Sequence, residues 1–318
     1  MFDVITIGSA TVDVFLKTKS KQLELERIHG HENVCLQIGS KILIDQLHTS
    51  TGGGGTNTAV SFSKLGLKTG WIGVLGKGHN SSIIKSIIKK EKITFLGKEK
   101  QGDAGFSVIL TGLKKNRTIL AYKGINDDLE LKDIKKAKTR WFYCSSMLNK
   151  SWMTIVKFLK STKANIAFNP STYLAMKGKT FLKPLLNKCS LLILNKEEAQ
   201  FLLKSRADVN VLLKELQKLV PLVVITDGPN GAVVFDGKLA LKLIPYKAKI
   251  VETTGAGDAF ASGFLAAKIY GKPLDVCLQW GFAQAVSVIS FVGAKERLLS
   301  KRELERRIKL KKAKVVKL

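Results

Sequence analysis

The stretch Glu252-Thr253-Thr254-Gly255-Ala256-Gly257-Asp258-Ala259-Phe260 decides how this chain is read, because it sets small residues and one carboxylate where a strand should turn into a helix. Upstream, Lys249, Ile250 and Val251 read as the end of a short strand. Downstream, Ala259, Phe260, Gly263, Phe264, Ala267 and Ile269 recur at helical spacing, and Gly271 with Pro273 supplies a stop. Gly255, Ala256 and Gly257 thus fall at the first turn of a helix. Amides at that turn lack intrahelical partners, and the helix dipole favours negative charge. Small side chains let a phosphate oxygen approach them, so the turn reads as an anion site.

Asp258 is the odd member of the turn. A carboxylate beside an anion site repels bound phosphate unless it has a task of its own. A base that accepts a proton from a hydroxyl attacking phosphorus must stand there. The plainer reading is an acid that complements the helix N-terminus. Two familiar phosphate-binding patterns are excluded. The chain has no G-x-x-x-x-G-K-[ST], and Phe260 occupies the third-glycine position of G-x-G-x-x-G.

A second glycine-rich stretch, Gly52-Gly53-Gly54-Gly55-Thr56-Asn57-Thr58-Ala59-Val60, is followed by Leu65-Gly66. The Asn57 amide both donates and accepts, which suits vicinal hydroxyls, and the glycines before it let backbone approach a ligand closely. Thr56 or Asn57 would serve equally as a helix cap. Asn195 and Glu198 follow a buried-strand run, Leu191 to Leu194, and fit a capping box. Their oxygens are also of the kind Mg²⁺ prefers. Thr226, Gly228 and Gly231 follow the run Leu222 to Ile225 and read locally as turn residues.

Thr253 to Phe260 resembles the T-x-G-A-G-D-x-F motif of the ribokinase-like sugar kinases, the PfkB family, and Gly52 to Gly66 looks like that family's G-G-x-x-x-N-x-A…L-G motif. Smaller matches follow in family order: Asn169-Pro170, Asn195-Lys196-Glu197-Glu198-Ala199, and Thr226-Asp227-Gly228 with Gly231. The resemblance runs from Gly8 to about Gly293. It implies a single α/β domain, ribokinase-like, with a central mostly parallel sheet flanked by helices on both faces and a small projecting β-sheet lid. It also implies ATP-dependent transfer of the γ-phosphate to a hydroxyl of a sugar, sugar phosphate or nucleoside. Asp258 would be the general base, and the Gly255, Ala256 and Gly257 amides the anion hole. Asp13, Gly52, Gly53 and Asn57 would bind the acceptor. Asn195, Thr226, Gly228 and Gly231 would meet the nucleotide, Glu198 would reach Mg²⁺ through water, and a small-residue helix from Gly281 to Ser290 would border the adenine. In many members the lid also mediates dimerisation.

Three positions depart from the pattern. Gly54 stands where ribokinases proper have lysine, which weakens a ribose assignment. Glu252 replaces the usual Asp near a monovalent-cation site, so potassium dependence stays open. Gly76-Lys77-Gly78-His79-Asn80 lacks the acid usual after that strand.

At 318 residues the chain can bury a large core. Its four cysteines, Cys35, Cys144, Cys189 and Cys277, show no metal or disulfide spacing, so reduced thiols in a cytoplasmic setting are expected. No apolar run approaches membrane-spanning length, and the start Met1-Phe2-Asp3 lacks the base of a signal peptide. The net charge of +28 is the outlier, and Lys295 to Lys317 is especially basic. Basic residues are spread rather than interleaved with aromatics in a stripe, which reads as lysine-rich composition rather than a nucleic-acid surface. The rival reading is a non-catalytic nucleic-acid-associated protein, against which Asp258, Asn57 and the glycine turns argue.

Apolar runs and helical stretches alternate along the chain. Strands are expected at Val4 to Ile7, Gly70 to Leu75, Trp141 to Cys144 and Ile166 to Phe168, and helices at Asn57 to Leu65, Ser151 to Leu159 and Val209 to Leu219. Two stretches interrupt the alternation: Val34 to Leu47, and a hairpin from Phe106 to Tyr122 around Lys114-Lys115-Asn116. With residues at about 14–18 they would form the lid, over Asp13 and Asn57 and facing Asp258.

Overall fold

Runs such as Leu191–Asn195 and Leu222–Thr226 are buried at successive positions, which a strand achieves inside a parallel sheet covered on both faces. A computed structural model of the chain describes residues 1–20, 23–28, 31–113 and 116–318. Seven strands lie side by side in parallel: Thr94–Phe95, Thr69–Ile72, Phe2–Ile7, Thr139–Cys144, Asn165–Phe168, Leu191–Asn195 and Leu222–Thr226. Ala232–Phe235, Ala240–Ile244 and Lys314–Lys317 extend the sheet antiparallel.

Alternation along each strand divides the core in two. Ile5, Phe142, Ile166, Leu192 and Val223 face one layer, packed with Trp152, Ile155, Leu182, Leu202 and Leu212 of four helices, Asn149–Leu159, Gly178–Leu186, Lys196–Leu203 and Val209–Gln217. Val4, Tyr143, Ala167, Leu191 and Val224 face the other. There the helices Gly54–Lys64, Ala256–Ile269 and Leu274–Val288 supply Phe62, Phe264 and Leu278.

A separate four-stranded sheet runs in the order Asn116–Tyr122, Gly105–Leu113, Thr11–Lys17, Gln46–Gly52. At its base a further cluster joins Ala10 and Val12 to Ala59, Val60 and Ala259 of the helices Gly54–Lys64 and Ala256–Ile269. Leu47, Leu120 and Tyr122 lie exposed on it.

Several expected elements shift. Val34 to Leu47 is not one strand. His31–Leu36 pairs with Leu23–Ile28, Gln46–Gly52 belongs to the four-stranded sheet, and the chain turns between them at Gly39 (φ 80°). The Phe106 to Tyr122 hairpin therefore pairs with Thr11–Lys17 rather than with residues 34–47. Lys114 and Lys115, at its expected turn, lie outside the described residues. Gly70 to Leu75 breaks at Gly73, over which the Trp71 ring folds, and Val74–Leu75 pairs instead with Lys98–Glu99. Lys249 to Val251 forms no strand. The Val251 and Glu252 amides donate to the Ile289 carbonyl at 2.8 and 3.3 Å, so this segment satisfies a helix end instead. The helix expected from Gly281 begins earlier, at Leu274.

Candidate active site

Two helix N-termini meet at the site, and neither carries a side-chain cap. Helix Ala256–Ile269 starts at Gly255, whose φ of 79° suits glycine, and a Cβ there would lie 2.6 Å from the Ala294 carbonyl oxygen. Helix Gly54–Lys64 follows Gly53 and carries Asn57 in its first turn. The Asn57 Nδ2 donates to Asp258 Oδ2 at 2.8 Å. Asn57 Oδ1 is buried and has no partner, which leaves an acceptor free to take a ligand hydroxyl. Burial raises the Asp258 carboxyl above its ordinary value. The Asn57 hydrogen bond and the charge of Lys295 pull it back, while Asp13 pushes it up.

Of the three amides expected to line the anion site, that of Ala256 donates to the Thr253 carbonyl at 3.2 Å. Gly257 faces open space, where an added Cβ would meet nothing within 4 Å.

Asp13 lies on Thr11–Lys17 and is buried, with its Oδ1 accepting from Thr11 Oγ1 at 2.8 Å. Desolvation raises it too, against the pull of Thr11, Ser107, Lys295 and Lys123. Gly52 has to be glycine beside it, since a Cβ would fall 1.8 Å from Asp13 Oδ2. Gly54 lies close to the base: its Cβ would stand 3.5 Å from Asp258 Oδ1 and 2.8 Å from Ser145 Cβ.

Asp13, Gly53, Asn57, Gly255 and Asp258 line one cavity of about 370 Å³. Gly52, Ala256 and Gly257 are not among its lining residues. Its walls also include Arg117, Lys123 and Tyr173, none of which the sequence reading singled out. Lys123 is lowered by burial and sits 4.5 Å from the Tyr173 ring centre. Arg117, on the hairpin, hydrogen-bonds Thr253 Oγ1 and lies 3.6 Å from Glu252 Oε1, so the four-stranded sheet touches the turn before Asp258. Glu252 Oε1 also accepts from the Thr253 and Thr254 amides at 2.8 and 3.0 Å.

Asn195, Glu198, Thr226, Gly228 and Gly231 are not in that cavity's wall. They gather at the C-terminal ends of two adjacent strands, where Asn195 and Thr226 pair in register. Gly228 and Gly231 both have positive φ in the loop beyond. The capping box forms as read: Asn195 Oδ1 accepts from the Glu198 amide at 2.8 Å, and Glu198 Oε2 from the Asn195 amide at 2.9 Å. Glu198 is buried, and desolvation pushes its carboxyl to about 7, with the Asp258 charge adding to the rise. Burial, and after it the charge of both carboxylates, raises Tyr143, whose buried hydroxyl has no partner among the described residues.

Lys295, which in sequence only opens the especially basic stretch Lys295 to Lys317, is a functional candidate that sequence reasoning misses. Its Nζ donates to Thr51 Oγ1 at 2.9 Å and Thr56 Oγ1 at 3.0 Å, and reaches the Gly52 carbonyl at 3.5 Å. Burial lowers it to about 7 against the pull of Asp13 and Asp258. No local signal distinguishes it from its neighbours in sequence.

Two helix starts, a hydrogen-bonded carboxylate and a glycine turn thus meet at one cavity, an arrangement able to hold a phosphoryl group beside a hydroxyl. The profile of the pfkB family carbohydrate kinases matches residues 1–301, and the chain belongs to that family. It is a kinase, an ATP-dependent phosphotransferase. An uncharacterised sugar kinase of Archaeoglobus fulgidus is 26% identical over 247 residues, 75% of this chain and 98% of that protein. The ribokinase of Schizosaccharomyces pombe is 24% identical over 335 residues, 98% and 99% of the two chains. Among solved structures, adenosine kinase from Sinorhizobium meliloti superposes with a TM-score of 0.82 at 21% identity, over 96% and 99% of the two chains. Among the described residues no helix is long and apolar enough to cross a membrane.

Proposed function

We propose that this kinase phosphorylates a hydroxyl of a sugar, sugar phosphate or nucleoside, with Asp258 as the general base. One observation carries the residue assignment: Asn57 and Asp258 are 2.8 Å apart in one cavity, at two uncapped helix starts. The acceptor hydroxyl gives its proton to Asp258 while its oxygen forms a bond to the γ-phosphorus. The bond from that phosphorus to the bridging oxygen breaks, and ADP departs with the electron pair. The amides of Gly255 and Gly257, with the helix dipole, stabilise charge on the transferred group, while that of Ala256, which donates to the Thr253 carbonyl, holds the turn. Asn57 orients the base and offers Oδ1 to the acceptor, and Asp13 accepts from a further hydroxyl.

Asn195, Thr226, Gly228 and Gly231 take the nucleotide side. Among the described residues no group of three acids, histidines or cysteines could cage a metal. Mg²⁺ seldom needs one, since one or two carboxylates, waters and substrate phosphates suffice. Glu198 fits that demand: it is a buried carboxylate held near 7, with Oε2 engaged by an amide. Mg²⁺ bound there through water would neutralise phosphate charge.

The four-stranded sheet acts as a lid that keeps water from the phosphoryl group, supported by the Arg117 contact with Thr253. Its exposed Leu47, Leu120 and Tyr122 support pairing with a second copy. Four free cysteines, three of them buried, suit a reducing cytoplasm.

The test is a panel of sugars, sugar phosphates and nucleosides supplied with ATP and Mg²⁺, reading ADP release. Acceptor-dependent release from one chemical class is expected. Release that no acceptor stimulates would remove the proposal.

A further inference from the structure

We propose that Lys295 is a positioning residue of this kinase, whose ammonium lies behind the cavity wall, holds the turn that leads to Asn57, and keeps the Asp258 carboxylate charged. The inference rests on Asp258 being the base. Lys295 does not line the cavity, so it acts through other groups rather than on the substrate.

Its placement is built from three sides. The Nζ contacts Thr51 Oγ1, Thr56 Oγ1 and the Gly52 carbonyl, which brackets the glycine turn at both ends. Thr56 immediately precedes Asn57, which donates to Asp258. The residue before the lysine, Ala294, packs on the other glycine turn: a Cβ on Gly255 would lie 2.7 Å from Ala294 Cα. One short segment therefore ties the acceptor-side turn to the phosphate-side turn. Those turns come from positions about two hundred residues apart.

The charges around it explain why a cation belongs there. Asp13 and Asp258 line one cavity, and each is raised by burial. Asp13 makes ionisation of Asp258 harder still. A base must be ionised before it can accept a proton. Lys295 lowers both carboxyls. Lys123, in the cavity wall, also lowers Asp13. Glu198 and Tyr143 also feel the Asp258 charge, from the nucleotide side and the sheet beneath. Glu296 and Glu91 favour the charged ammonium, and burial opposes it, leaving Lys295 at about 7. Without the cation, Asp258 would take up its proton at higher pH.

The experiment is the pH profile of kcat/KM for the full chain, its Lys295→Met and Lys295→Arg variants, and Asp258→Asn as a reference. The expected result is an acidic limb that moves up by about one pH unit in Lys295→Met, the scale of one nearby opposite charge. In Lys295→Arg the limb should stay near that of the parent. A Lys295→Met limb that stays in place while activity falls equally at every pH would overturn the proposal, because a purely structural role produces that pattern. A Lys295→Arg limb displaced as far as that of Lys295→Met would also overturn it, since charge would not be the cause. Where Lys295→Met folds poorly, Thr51→Val keeps the lysine but removes one hydroxyl that seats it. An upward limb shift is expected there, and an unmoved limb rejects the inference. Turnover near the parent value in Asp258→Asn would remove the base itself. An inactive Asp258→Asn beside an unmoved Lys295→Met limb rejects the Lys295 inference alone.

Discussion

Asn57 and Asp258, 201 positions apart in sequence, share a 2.8 Å hydrogen bond in which the amide donates to the carboxylate. The bond aims one carboxylate oxygen, lowers the proton affinity of a half-buried acid, and leaves the amide oxygen free. Each consequence suits the proposed general base, which must be ionised and stand beside an acceptor hydroxyl.

Asp258→Asn keeps the shape of that contact and removes the proton acceptor. The kcat should fall by at least about a hundredfold, while nucleotide affinity is roughly kept. Steady-state kinetics with an active acceptor, beside nucleotide binding by calorimetry, measures both. Turnover close to the parent enzyme would take the base role away from Asp258.

Glu198 links magnesium use to pH. Burial raises its carboxyl to about 7, so the proton stays on as pH falls below that point, and a protonated carboxyl is a poor partner for a cation. The Mg²⁺ concentration for half-maximal activity should therefore rise as pH drops from about 8 to about 6. Glu198→Gln should need more Mg²⁺ throughout and lose that dependence. A variant with the parent's magnesium response at each pH would exclude Glu198 from the metal site.

Lys295 should also leave a mark on stability, independent of catalysis. Its folded value is lowered from 10.5 to about 7, so between those limits the unfolded chain holds a proton that the folded chain lacks. Stability from this group then rises with pH across that window and is lowest at and below its floor. Lys295→Met abolishes the term, so its stability relative to the parent should decline as pH increases from about 7 to about 10. Denaturant unfolding at several pH values checks this, and parallel curves for the two proteins would contradict it.

Gly255→Ala tests the phosphate turn. The backbone there has φ 79°, and the new Cβ would press on Ala294, whose carbonyl oxygen would be 2.6 Å away. The conformation alone costs about 1–2 kcal/mol, and the clash with main chain adds to it. Lower thermal stability is expected together with a larger KM for ATP. Unchanged stability would mean that the turn relaxes without strain.

Much of the architecture is legible locally. From Leu191 to Leu194 and from Leu222 to Ile225 successive residues are apolar, and a strand covered on both faces buries them all. Helix Ala256–Ile269 likewise follows from apolar spacing and ends beside Gly271, where the reading expected a stop. Lys249 to Val251 misled because β-branched residues suit a strand, yet among the described residues no strand pairs with it, and the Val251 and Glu252 amides serve a helix end instead. Val34 to Leu47 misled for a related reason. Alternation marks extended chain but does not say with what it pairs, nor that Gly39 turns it midway.

By itself the sequence determined the strand and helix alternation, the two glycine turns, and the identities of Asn57 and Asp258. These follow from period, chirality and side-chain chemistry within a few residues. Tertiary structure alone decided that Asn57 bonds to Asp258, that Glu198 lies buried and hard to ionise, and that Arg117 reaches back to Thr253. It also drew one lysine, Lys295, out of a basic stretch and set it against Thr51 and Thr56. Burial of a charge and its neighbours depend on chain segments hundreds of residues apart, and local pattern carries no record of them.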